Sequence, residues 1–378
     1  MENSPFTSAL LERIRMDGPL RFPDYMAAAL YDPEFGYYAR GTRQVGRAGD
    51  FFTSVSVGLL FGELLARRFL REWLEMDSPE AWRIIECGAH DGRLAADVIS
   101  ALRKLHDKAF QTLEYVIAEP LPSLQHAQLE TLRSFTQTVR FLDDVSDLST
   151  EPLPGIAFGN ELLDALPFHI VEWHDGAWLE CLVGLDEEGI LKFKTGKIHD
   201  PVLLAMLAPL GKDFPNGYRT EVRTCVRNFL EPLCKSLQSG LMIWIDYGFA
   251  RPDYYHRDRI HGTVRTFSNH RAGENPLDTP GEIDITAHVD FTAIAETAIT
   301  LDCQPTLFRN QGAWLTEIAR EWLLEQEGHP QPALLRQFQT LTHPAHRGSR
   351  FHILEHAWKK PGPQAISPAL LHQLGLPD

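Results

Sequence analysis

Cysteine is scarce in this chain, and basic charge is in deficit. The five cysteines, Cys87, Cys181, Cys225, Cys234 and Cys303, are odd in number, scattered and without a Cys-x-x-Cys pair. That argues against a disulfide framework and a structural zinc site, so no metal is expected, and it argues for a reducing compartment. Lys and Arg number 36 against 51 Asp and Glu, a formal net charge of -15. A phosphate backbone would be repelled unless a local basic patch dominated, so no nucleic-acid partner is expected. No apolar run approaches the roughly 20 residues of a membrane span, so no membrane insertion is expected. Met1 to Phe6 has neither a cationic-apolar secretory start nor an Arg-rich presequence. The expected location is cytoplasmic, or organellar if a presequence has been removed. Internal repeats and low-complexity segments are also missing.

What the chain does have is a series of apolar strands that end in acids. Trp82-Arg83-Ile84-Ile85-Glu86-Cys87 runs into Gly88-Ala89-His90-Asp91-Gly92, a glycine-bearing turn that lets a ligand approach the backbone. Glu114 to Ala118 closes on Glu119, Val139 to Leu142 on Asp143 and Asp144, Gly155 to Gly159 on Asn160 and Glu161, and Leu241 to Ile245 on Asp246. Ligands of open parallel sheets bind outside the carboxyl ends of the strands, so these polar groups should line one cleft. The expected fold class is α/β.

The turn argues about the ligand. A dinucleotide site would favour G-x-G-x-x-G, and a Walker loop would end in Gly-Lys-Ser/Thr; neither follows this strand. Acids before the turn and at the next strand end repel phosphates and tolerate a sulfonium with an ammonium, as in S-adenosylmethionine. Glu119 stands where such folds place the acid that takes the ribose hydroxyls.

The runs Tyr31 to Tyr38, Gly49-Asp50-Phe51-Phe52-Thr53-Ser54, Phe61 to Leu65, Asn160 to Pro167, Asp246-Tyr247-Gly248 and Asp284 to Phe291 resemble the MidA family of S-adenosylmethionine-dependent methyltransferases, from about Phe22 to about Trp358. The resemblance implies a Rossmann-like, seven-stranded class I methyltransferase sheet whose last strand is antiparallel. It also implies a protein partner as substrate, since mitochondrial members are similar to protein arginine methyltransferases that act on a respiratory complex I subunit during assembly. Family members usually read Gly-x-Gly-x-Gly at the cofactor turn, whereas His90 here brings a Cβ and an imidazole into it.

The domain plan expected is an N-terminal helical extension with a cofactor-closing loop over 1–80 and a methyltransferase core over 81–378. That core would carry a helical and hairpin insertion at about 168–237, between strands four and five, and a long loop at about 250–282. The hairpin rests on Asp175-Gly176 between two apolar runs; residues 201–237 read as helical, and a sixth strand is expected at Ile299 to Cys303. The loop, rich in Tyr, His and Arg, reads either as a solvated basic segment or as a lid or docking segment.

On the cofactor side the candidates are Gly88 and Gly92 at the methionine end, Glu119 at the ribose, Asp143 and Asp144 at the adenine amine, and Asp246. Glu86 is a further candidate, or else a buried acid bracing the turn. Asp50, Thr53 and Ser54 are similar to family residues that close over the cofactor. For the acceptor, Glu161 is the candidate carboxylate for a guanidinium, with Asn160 and Asp164 orienting it. The alternative for Glu161 is a helix N-terminal acid, and for Asp164 a cap or ion pair. His288 is a candidate base or substrate contact, or else a hydrogen-bonded structural histidine; Asp290 reads as an N-cap. A small-molecule N- or O-methyltransferase and a non-catalytic assembly protein remain open beside the protein methyltransferase.

Overall fold

The structure, a computed structural model, describes residues 4–40, 53–268, 271–359 and 365–377. Its centre is a twisted sheet of strands β1 (Trp82–Cys87), β2 (Leu113–Ala118), β3 (Val139–Leu142), β4 (Leu153–Asn160), β5 (Leu237–Phe249), β6 (Cys303–Asn310) and β7 (Phe351–Trp358). Their spatial order is β6-β7-β5-β4-β1-β2-β3, and a short strand, Val289–Asp290, also pairs with β5. The neighbours β3-β2-β1-β4-β5 pair in parallel, while β7 lies antiparallel to both β5 and β6. All six residues of β1 are buried, because helices cover both faces of the sheet.

One face carries helices Leu60–Glu75, Arg93–Leu105, Gln311–Ile318 and Pro332–Thr342. In Arg93–Leu105 the apolar residues Leu94, Val98, Ile99 and Leu102 recur at helical spacing and are the buried ones. Arg68 crosses to β7 with a two-pronged bond to Glu355 at 3.1 and 2.8 Å, and Trp314 Nε1 donates to the same carboxylate at 2.7 Å. Removing one partner of such a buried pair costs about 3–5 kcal/mol. The other face carries Val226–Ser236, Phe291–Ile299 and Pro368–Leu374. Asp290 caps Phe291–Ile299 by accepting from Thr292 N and Ala293 N.

A second core forms where helices Pro5–Asp17 and Phe22–Tyr31 pack on the segment between β4 and β5. That segment is an antiparallel sheet of His169–His174, Ala177–Leu185, Leu191–Lys197 and Arg219–Val222, joined by Leu20–Arg21. The Asp175-Gly176 turn has φ of 47° and 84°, the two positive values of a tight hairpin. Residues before 80 therefore serve both cores: the first two helices serve the second, and Leu60–Glu75 the main one.

Three details depart from the sequence expectations. The region expected to be helical over 201–237 contains the strand Arg219–Val222, whose buried Glu221 is satisfied by Thr263 N at 2.9 Å and Thr263 Oγ1 at 2.8 Å. Its pattern is polar because its partners are side chains far along the chain. The sixth strand is Cys303–Asn310 instead of 299–303, and it tolerates Pro305 because it lies at the sheet edge with an irregular register there. The long loop includes helix Arg251–Tyr254 and strands Arg265–Ser268 and Arg271–Gly273, the former pairing with Asp284–Thr286. No helix among the described residues is long and apolar enough to cross a membrane.

Candidate active site

The carboxyl ends of β1, β2 and β4 open onto a cavity of about 400 Å³, within the size range of small-ligand pockets. Gly88 and Gly92, with φ of 72° and 78°, shape the turn after β1. A Cβ on Gly88 would lie 2.8 Å from Leu162 Cδ1, so a side chain there would displace the Leu162 methyl as well as strain the positive φ. His90 also takes a left-handed φ of 47°; its carbonyl accepts from Gln128 Nε2 at 2.9 Å and its imidazole lines the cavity.

Glu119 is buried on the cavity wall, with Leu121 N 3.0 Å from Oε1 and Gln128 Nε2 3.2 Å from Oε2. Each oxygen keeps acceptor capacity for a diol. Burial raises its pKa, opposed by the Leu121 and Gln128 donors. Glu86 also lines the cavity, accepts from Tyr115 Oη at 2.5 Å, and is pushed up to about 7 by burial. It is at once a cavity acid and a buried brace between β1 and β2. Asn160 Oδ1 is buried and has no hydrogen-bond partner among the described residues. An orphaned acceptor, a diol-ready carboxylate and a glycine cradle together fit a nucleoside carrying an amino-acid tail.

A second chamber of about 620 Å³ adjoins the first, and Glu161 and Tyr38 line both. Glu161 sits at a φ of 53°, a strained value for a non-glycine residue that aims its side chain at the junction. Its Oε1 accepts from Ser54 N at 2.8 Å, Arg347 Nη1 at 3.3 Å and Asn160 Nδ2 at 3.4 Å. Burial raises its pKa, and the Arg347 guanidinium pulls it back. Asp164 and Asp284 are buried in the chamber wall, and Tyr38 Oη donates to Asp284 Oδ1 at 3.0 Å. Burial together with Asp246, Asp284 and Glu161 holds the Asp164 pKa well above the carboxylate range. His288 lines the chamber too, and burial with Arg259, Arg265 and Arg223 nearby pushes it down to about 4. It is neutral at physiological pH, and its Nδ1 has no partner among the described residues.

Other sequence candidates lie elsewhere. Asp246 lines neither cavity. Its Oδ2 accepts from Leu162 N, Leu163 N and Asp164 N at 3.1, 2.7 and 3.2 Å, and its Oδ1 from Tyr247 N at 2.8 Å. Its carboxylate thus holds the turn that carries the site residues. Asp143 and Asp144 are exposed and off the cavity wall: Asp143 accepts from Gln125 Nε2 at 2.9 Å and Asp144 caps a short 3-10 helix through Ser146 N. Thr53 lines the cofactor cavity and caps helix Ser54–Val57, while buried Ser54 reaches Glu161 by its backbone. Asp50 lies outside the described residues.

Sequence reasoning did not single out Tyr31, Tyr38, Asp284 or Arg347. The first three stand inside runs that carried the family resemblance, so a signal existed. Arg347 follows Pro344-Ala345-His346 and carries none; only folding brings it to Glu161, 186 residues away in the chain. No cluster of His, Cys, Asp and Glu suited to a metal occurs among the described residues.

Comparison with known proteins follows the same lines. Residues 64–308 match the family described as "Putative S-adenosyl-L-methionine-dependent methyltransferase". Protein arginine methyltransferase NDUFAF7 homolog, mitochondrial, of Drosophila melanogaster is 31% identical over 91% of this chain and 83% of its own length. Human protein arginine methyltransferase NDUFAF7, mitochondrial, is 26% identical over 93% of this chain and 82% of its own. A crystal structure from Burkholderia thailandensis, bound to S-adenosyl-homocysteine, superposes with a TM-score of 0.84 at 30% identity, covering 95% of this chain and 93% of that one. The curated relatives' names are mitochondrial, so they lend the cytoplasmic expectation no support and the organellar alternative some.

Proposed function

The chain belongs to the MidA family of S-adenosylmethionine-dependent methyltransferases, and on that premise we propose that it methylates an arginine side chain of a protein partner. The observation that carries this reading is Glu161, a buried carboxylate on the wall shared by the two cavities. A group held there would face both the cofactor and the acceptor.

S-adenosylmethionine supplies an electrophilic methyl on a sulfonium, so the protein has to align a nucleophile and manage a proton. Gly88, Gly92, Asn160 and Glu119 are the residues proposed to hold it. Glu161 would grip the acceptor guanidinium by charge-assisted hydrogen bonds, leaving one nitrogen free to attack. Arg347 and the Ser54 amide favour the ionised carboxylate against the opposing effect of burial and fix its direction. Burial and the neighbouring acids raise the proton affinity of Asp164 against the pull of Arg223; an entering guanidinium would favour its ionised form, which can take the proton the methylated nitrogen sheds. His288, neutral and pressed against Tyr247 and Phe249, is suited to hydrogen bonding more than to charge. The relatives' printed arginine activity supports the same acceptor.

The test is incubation with methyl-tritiated S-adenosylmethionine and arginine-containing proteins and peptides, followed by acid hydrolysis and amino-acid analysis. Label in methylarginine, lost in Glu161→Gln, is expected. Label confined to lysine or to small molecules would overturn the arginine reading.

A further inference from the structure

The second chamber carries acids at depth and exposed cations at its mouth. Its acids, Glu161, Asp164 and Asp284, are buried or nearly so, as is Arg347, which is ion-paired with Glu161; Arg265 and Arg350 line the same chamber and are exposed, with exposed His346 beside them. Arg265 begins the strand Arg265–Ser268, and Arg350 immediately precedes β7, so the two cations come from unrelated elements.

Arg251, Arg257 and Arg259, also in the loop after β5, are engaged elsewhere. Arg251 pairs with Glu296, Arg257 with Asp213 at 2.9 Å, and Arg259 lies over the Phe249 ring and donates to the Asp253 carbonyl. Arg265 donates to its neighbouring carbonyl, Val264 O, at 2.7 Å. Among the described residues neither it nor Arg350 has a carboxylate in ion-pair range. Two unneutralised arginines at one mouth, on a chain of net charge -15, form a local reversal of the protein's overall sign.

We propose that this basic rim selects protein segments in which the arginine to be methylated is flanked by Asp or Glu. The inference rests on the arginine reading above and names the substrate class for it. The acidic floor accepts one cation, the target guanidinium. The rim then repels further cations on the same segment and attracts carboxylates next to the target, so the mouth is complementary to an anionic sequence around a single arginine. A glycine-arginine or polybasic segment would meet like charge at the rim.

The experiment uses the full chain and two fluorescein-labelled peptides that differ only in flanks, Asp-Arg-Asp or Lys-Arg-Lys within a Gly-Ser frame. Anisotropy with the S-adenosylhomocysteine complex and initial methyl-transfer rates are both read. The wild type should favour the acidic peptide by about tenfold at low salt, and the preference should shrink as salt screens the rim. Arg265→Glu with Arg350→Glu should reverse the order. These residues are exposed, and unchanged S-adenosylhomocysteine affinity by calorimetry reports an intact fold. Arginine methylation that is indifferent to the flanks, or faster on the basic peptide, overturns the rim proposal and leaves the arginine reading standing. Transfer to neither peptide by wild type that binds S-adenosylhomocysteine, with transfer to lysine or small-molecule acceptors, overturns the arginine reading and the rim proposal with it.

Discussion

The two chambers that meet at Glu161 are built in different ways. The first cavity takes Glu86 to Asp91, Ala118 to Leu121 and Asn160 to Leu162 from the ends of adjacent parallel strands, and Tyr31, Tyr38, Thr53 and Phe229 close it from elsewhere in the chain. The acceptor chamber takes Tyr38, Asp164, Tyr247, Arg265, Asp284, His288 and Arg347 from segments scattered over most of the chain. On the proposed reading, strand ends supply most of the wall for the cofactor that the family shares, whereas the acceptor would meet a surface assembled from distant pieces. The acids differ in kind as well. Glu119 is held by donors that leave acceptor capacity on both oxygens, whereas Asp164 is crowded by Asp246, Asp284 and Glu161, which raise its proton affinity.

If the division is real, substitutions should separate the chambers. The largest expected effect is at the junction: Glu161→Gln should lower methyl transfer about 10³-fold, near 4 kcal/mol of transition-state stabilisation, while S-adenosylhomocysteine affinity stays within about threefold. Equal losses in calorimetry and in turnover would mean that Glu161 belongs to the cofactor side alone. Asp246→Ala should instead break both chambers together, because it strips the acceptor from three amides of the 162–164 turn. Denaturant unfolding should show about 3 kcal/mol of lost stability.

Glu86 sharpens the contrast through pH. Its folded pKa of about 7 lies above the unfolded value of 4.5, so the fold favours the protonated form. Stability from this group is fully present below pH 4.5 and is lost as pH rises through 7. Glu86→Gln should therefore gain on the order of 2–3 kcal/mol on wild type between pH 5 and pH 8 in paired urea titrations, and a parallel pH response would refute the assignment. The smallest effect is expected for Glu119→Gln: about tenfold weaker S-adenosylhomocysteine binding, near 1.4 kcal/mol, with the acceptor preference untouched. A shift in acceptor preference in that variant would erase the boundary between the chambers.

Legibility followed the same division. Strands β1 and β3 were readable to the residue, β1 as a mostly apolar, fully buried run closing on a glycine turn and β3 as a short run closing on Asp143-Asp144. The Asp175-Gly176 hairpin was readable from its turn chemistry. Arg219–Val222 was not, since its burial depends on Thr263 and Tyr254 reaching Glu221 from the far side of β5. Asp246 follows an apolar run in the sequence as Glu119 does, so pattern alone made both cofactor-site candidates; in the fold Asp246 lies within β5 and accepts from backbone amides. Arg347 had no local signature, and its partner is 186 positions away.

By itself the sequence determined the α/β class, the strand ends that make the cofactor cavity and the family to which the chain belongs. Those depend on periodicity, glycine turns and short motifs, which are local properties of a chain. Only the tertiary structure decided which acids face a cavity and which hold the backbone. It also decided that Arg347 meets Glu161, and that Arg265 and Arg350 stand at one mouth. Proton affinity, pairing and access are set by what lies a few ångströms away, and in a folded chain most such neighbours come from far along the sequence.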